Sequence, residues 1–170
     1  MLPIVFVKKA INFGPIILLY YLSISEIDSF FENYFEILSF NIQLIIIYFW
    51  VLKRPEALGT GHIFFAGLLN DVVTGLPLGI SSILYLVGAF IALYIKNLTV
   101  NISLFTDWFT FLIAIFFSNF SFYILMTNFS DFNITYTDLF YNSFFTFLFY
   151  PVFWAFFKFY KLLMTIKQND

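Results

Sequence analysis

The chain has 170 residues, 62% of them hydrophobic and 25% aromatic, and a mean hydropathy of +0.93, which is more apolar surface than one soluble domain of this size can bury. Eight basic and ten acidic residues leave a net charge of −2, too little to imply a nucleic acid or another highly charged partner. With no cysteine there is no disulfide, thiolate metal site or cysteine nucleophile.

Only helices and closed barrels satisfy every backbone group in hydrocarbon, and long unbroken apolar runs such as 44–52 do not alternate as barrel strands do. The expectation is therefore an all-α integral membrane protein. Six segments of about the length a bilayer requires lie near 10–25, 37–52, 58–76, 78–95, 108–127 and 139–160. Together they form a single polytopic membrane domain.

The first run follows Lys8 and Lys9 as a signal peptide would, but no small-x-small cleavage site follows it, so it is expected to be a retained span. Pro15 lies inside it and Pro151 inside the sixth, and each predicts a local kink. An acidic loop carrying Glu26, Asp28, Glu32 and Glu36 leads to the second span, and Arg54-Pro55 follows that span. The third and fourth spans are separated only by Gly75-Leu76-Pro77-Leu78-Gly79, which predicts a tight helical hairpin. The fourth span repeats Ser81, Tyr85, Gly88 and Ala92 at helical spacing, a stripe suited to close helix packing. Asp107 and Asp138 precede the fifth and sixth spans and are expected to cap them.

Six alternating spans put all eight basic residues (Lys8, Lys9, Lys53, Arg54, Lys96, Lys158, Lys161 and Lys167) on one side, with Asp131, Asp138 and the first acidic loop on the other. The positive-inside rule makes the basic side cytoplasmic, so both termini are expected there. Trp154 and Tyr160 near the inner end, and Tyr20, Tyr21 and Tyr136 near the outer end, fit interfacial aromatic belts. Asn-x-Ser/Thr triplets at Asn97, Asn101, Asn128 and Asn133 are expected by chance in such a chain, and the first two fall on the cytoplasmic side.

Asp71 is the polar residue most in need of explanation. A carboxylate in a membrane-embedded helix costs about 2.5 to 3.5 kcal/mol on insertion scales, so it normally faces a protein interior or a polar cavity. Gly67, Asp71 and Gly75 recur at four-residue spacing and share one helix face. Gly67 leaves room for a neighbouring backbone to approach. Asp71 then either bonds groups of neighbouring spans and fixes their packing, or binds a ligand or proton. Ser81, Ser82, Ser118, Asn119, Asn142 and Ser143 are candidate partners, with Asn70 as a second polar group beside it.

His62, the only histidine, lies about 13 Å before Asp71 along the same helix, too far for a catalytic dyad, and beside Arg54 and Glu56 it suits an interface. No serine has a His–acid pair, no glycine loop precedes a basic residue, and no His–carboxylate cluster offers a metal site. The expectation is a non-enzymatic protein without a cofactor.

The third-to-fourth hairpin resembles the signature of the rod shape-determining protein MreD family. In that family an apolar helix runs into Gly-x-x-x-Asp and a Gly-x-Pro-Leu-Gly turn, matched here by Gly67, Asp71, Gly75, Pro77, Leu78 and Gly79. Chain length, six spans and the Arg54-Pro55 loop also fit, whereas Asn70 stands where the family commonly has Leu. The resemblance implies a scaffold of the cell-elongation machinery in the bacterial inner membrane, associated with MreC and, through it, with MreB, RodA and penicillin-binding protein 2. MreD-like proteins are similar in fold to the substrate-binding components of energy-coupling-factor transporters. A small-solute or vitamin-binding transport component is therefore the alternative.

Overall fold

The computed structural model describes residues 2–25, 40–98, 103–129 and 136–166. Among them are six α-helices and one short 3-10 turn: α1 (Leu2–Ile24), α2 (Ile42–Lys53), the turn Pro55–Ala57, α3 (Thr60–Thr74), α4 (Ile80–Leu98), α5 (Leu104–Phe129) and α6 (Tyr136–Ile166). The acidic loop Glu26 to Glu36, together with Asp131, Asn101, Asn133 and Lys167, lies outside the described residues.

By length and composition, three helices among the described residues can cross a membrane: Ile80–Leu98, Leu104–Phe129 and Tyr136–Leu162. The apolar stretches Phe13–Ile24 and Ile42–Lys53 are shorter. The span expected at 37–52 forms helix only from Ile42, because Asn41 caps it by accepting a hydrogen bond from Leu44 N at 2.8 Å. At its other end Arg54 breaks the helix ahead of Pro55, as residues before proline tend to do. Twelve residues give about 18 Å of helix, against the roughly 30 Å of a hydrocarbon core.

α2 is apolar all round, and a helix of that kind belongs inside a protein. Every residue from Gln43 to Leu52 is buried, and α1, α4, α5 and α6 pack around it. Lipid is as apolar as leucine, so this enclosure is held by close packing and ring contacts more than by escape from water. Phe111 stacks on Tyr150 at 4.4 Å between ring centroids and lies 4.8 Å from Tyr48, which joins α2, α5 and α6.

The stripe Ser81, Tyr85, Gly88 and Ala92 is buried. A Cβ on Gly88 would come within 2.5 Å of Leu44 Cδ1 and 3.2 Å of Ser118 Oγ, so α4 meets α2 and α5 where it carries no side chain. Pro15 and Pro151 sit inside α1 and α6.

Candidate functional site

The α3–α4 hairpin is organised by one residue. α3 ends at Gly75, whose φ of 70° is left-handed, a conformation costly for residues with a Cβ. There the N–H groups of Gly75 and Leu76 (3.0 Å) both donate to the carbonyl of Asp71. Gly79, immediately before α4, is also left-handed at φ 101° and has no side chain to cap the helix it precedes.

Asp71 supplies that cap from the neighbouring helix. Its Oδ2 accepts from Gly79 N at 2.7 Å and its Oδ1 from Ser81 N at 2.9 Å, and the residue is wholly buried. The carboxylate thus sits on the positive end of α4 while its own carbonyl closes α3. Of the side chains proposed as its partners, Ser81 is used through its backbone N–H. Ser118 instead bonds Leu84 O, and Asn119 bonds Ser143 Oγ. The physical reason is proximity: the five-residue turn delivers two unsatisfied N–H groups to Asp71 before any more distant hydroxyl can reach it.

Asn70 takes a different direction. Its Nδ2 donates to Ser81 Oγ at 3.1 Å, and its Oδ1 accepts from Gln43 Nε2 at 3.4 Å. Gln43 also donates to Leu22 O at 3.1 Å, so amide groups link α1, α2, α3 and α4 at the hairpin end. Sequence reasoning missed Gln43, although a lone amide opening the apolar run 43–52 was the available signal.

One turn earlier the two backbones nearly touch. A Cβ added to Gly67 would fall 2.5 Å from Ser82 N and 2.7 Å from Ser82 Oγ, with Ser82 Cα also in the way, and Ser82 Oγ already donates to Phe64 O at 2.9 Å. Gly67→Ala should therefore force the helices apart at a cost of about 1 to 3 kcal/mol, typical of overpacking. A lower melting point of the detergent-solubilised protein would register it, and an unchanged one would contradict this contact. Pro77 lies in the turn and Leu78 projects from it, 70% exposed.

A family model described as rod shape-determining protein MreD matches residues 9–161, which include this hairpin. The chain belongs to the MreD family. Comparisons with curated proteins and with solved structures each return no match.

This MreD-family chain has a second buried polar cluster, at the opposite end of α2. Asp107 was expected to cap α5, but it is Ser103 that does so, accepting from Thr106 N at 3.2 Å on its side chain and from Asp107 N at 3.0 Å on its carbonyl. Lying a full turn inside the helix, Asp107 points inward. It forms an ion pair with Lys53 and accepts from Trp154 Nε1 at 2.8 Å. Both charged side chains are nearly enclosed, at 9% and 3% exposure. Trp154 is consequently held by a specific bond as well as by any interfacial preference.

Two other aromatic side chains have specific partners. Tyr20 was assigned to the outer end and His62 to the inner, yet the Tyr20 hydroxyl lies 3.1 Å from His62 Nδ1, because α1 packs directly on α3 and a tyrosine reaches across. Tyr136 pairs with Tyr123 through hydroxyls 2.7 Å apart.

Proposed function

We propose that this MreD-family protein is a non-enzymatic scaffold of the cell-elongation machinery in the bacterial inner membrane, with six spans and both termini cytoplasmic. Its role in rod shape determination follows from the family match over residues 9–161, the observation that carries this reading. The scaffold would hold an MreC-like protein through helix faces and thereby connect MreB filaments with RodA and penicillin-binding protein 2 in peptidoglycan synthesis.

Two features support it. Large apolar side chains stay exposed along α5 at Phe105, Phe109, Leu112, Phe116 and Phe120, and along α6 at Phe140, Phe144, Leu148, Val152 and Phe156. Their three- and four-residue spacing makes continuous faces for lipid or for a partner's membrane anchor. In addition, Lys53, Lys158 and Lys161 border one cavity, which favours a single cytoplasmic end. A solute-binding transporter would need Asp71 as a ligand group, whereas both of its oxygens are engaged by backbone N–H groups.

Depletion in a rod-shaped host is expected to round the cells, and affinity capture of the tagged protein should recover an MreC-like protein. Unchanged shape together with no such partner would overturn the proposal.

A further inference from the structure

α1, α2 and α6 meet around a hollow of about 380 Å³ whose walls are apolar almost throughout. α1 contributes Pro15, Leu18 and Tyr21, α2 contributes Trp50, and α6 contributes Phe157 and Tyr160. Beside it α1 and α6 come together because Gly14 has no side chain: a Cβ there would collide with the Tyr160 hydroxyl. Trp50 forms the floor. It is 1% exposed and packs against Phe157 and Tyr160 with ring centroids 6.2 and 5.9 Å apart.

Such a hollow does not fill with water. An apolar cavity of even about 150 Å³ stays dry and takes apolar guests, and ligand sites run from about 300 to 1,000 Å³. This one opens sideways, since Ile17, Tyr21 and Phe156 border it and are each more than half exposed. Its α6 wall belongs to Tyr136–Leu162, a stretch long and apolar enough to cross a membrane, so the hollow is continuous with a surface that faces hydrocarbon. Lys158 and Lys161 flank Tyr160 in the chain, and Lys53 follows Trp50 by three residues, about 5 Å along α2. One end of the hollow therefore lies near the level where acyl chains meet headgroups.

We propose that this hollow binds one acyl chain of a membrane phospholipid, taken in from the side between α1 and α6. The chain completes packing that the three helices leave open around Trp50. No charged side chain among the described residues lines the site, so what is recognised is the hydrocarbon. The proposal rests on the basic residues marking a membrane surface and does not depend on the scaffold reading.

Full-length protein would be reconstituted in phosphatidylcholine vesicles with plain or brominated acyl chains, because bromine quenches an indole near contact. Bulk lipid does not reach Trp50, so quenching of this residue reports a chain inside the hollow. Its emission is the difference between the wild type and Trp50→Phe, and a variant combining Trp108→Phe with Trp154→Phe, in which Trp50 is the sole emitter, measures it a second way. Brominated chains are expected to lower Trp50 emission by about twofold or more, and Ile17→Phe combined with Leu18→Phe, which narrows the hollow, to restore most of it. Emission from Trp50 that brominated chains leave intact would overturn the proposal, as would quenching that the narrowed variant leaves unchanged. Unquenched Trp50 together with a dimer trapped by cross-linking would assign this face to a second copy of the chain instead. An unaltered size-exclusion profile of each variant separates lost binding from lost folding.

Discussion

Asp107→Ala is expected to destabilise the protein by about 2 to 3 kcal/mol. Breaking a buried ion pair from one side typically costs about 3 to 5 kcal/mol, because the remaining charge has neither its partner nor water. Here the Lys53 ammonium loses its counter-charge and the Trp154 indole N–H loses its acceptor. The lower figure is expected because Lys53 also borders the cavity it shares with Lys158 and Lys161, where water can replace part of what is lost. Asp107→Asn should fall between, keeping an acceptor for Trp154 while removing the charge. Combining Lys53→Met with Asp107→Leu should recover much of the loss, since apolar replacement of a whole buried pair is often neutral or better. Melting of the detergent-solubilised wild type, Lys53→Met, Asp107→Leu and the double variant forms a double-mutant cycle, and additive losses would mean that the pair does not act as a unit.

Asp71→Ala is expected to cost about 3 kcal/mol and to deplete the protein from membranes. It leaves the N–H groups of Gly79 and Ser81 without their acceptor at the start of α4. A bond to a charged acceptor contributes about 1.5 to 3 kcal/mol, and a lost N-cap alone costs about 1 kcal/mol. Asp71→Asn retains one acceptor but turns an NH₂ group towards the other N–H donor, so about half the loss is expected. The order Asp, Asn, Ala in membrane abundance and melting point is the signature of a structural cap. If Asp71→Asn kept full abundance yet rounded the cells completely, the carboxylate would instead carry a charge-dependent function.

Much of the hairpin was legible in the sequence because its constraints are local. Glycines at 75 and 79 with Pro77 between them announce a reversal, and both glycines do take the left-handed backbone that such a turn requires. Gly67 signalled a close approach, and Ser82 is the residue that makes it. The acceptor role of Asp71 was less legible, since helical spacing ranks side chains on a face and says nothing of backbone N–H groups eight and ten residues ahead. Asp107 misled for a related reason. A carboxylate near a helix start looks like a cap, but one turn inside the helix its direction is set by what packs there, and Lys53 lies 54 positions away in the chain.

The sequence by itself determined the class of the protein, its helices and the MreD signature, because apolar run length, turn chemistry and a glycine–carboxylate spacing are properties of short segments. Only the tertiary structure decided that α2 lies enclosed at the centre, that Gln43 and Asn70 join four helices, and that Lys53, Lys158 and Lys161 share a cavity with Trp154. Those arrangements depend on which helix faces meet, and the helices here are apolar on nearly every side. Hydrophobicity alone therefore could not select the faces, and the choice fell to the few polar groups and to the fit of small residues against neighbouring backbones.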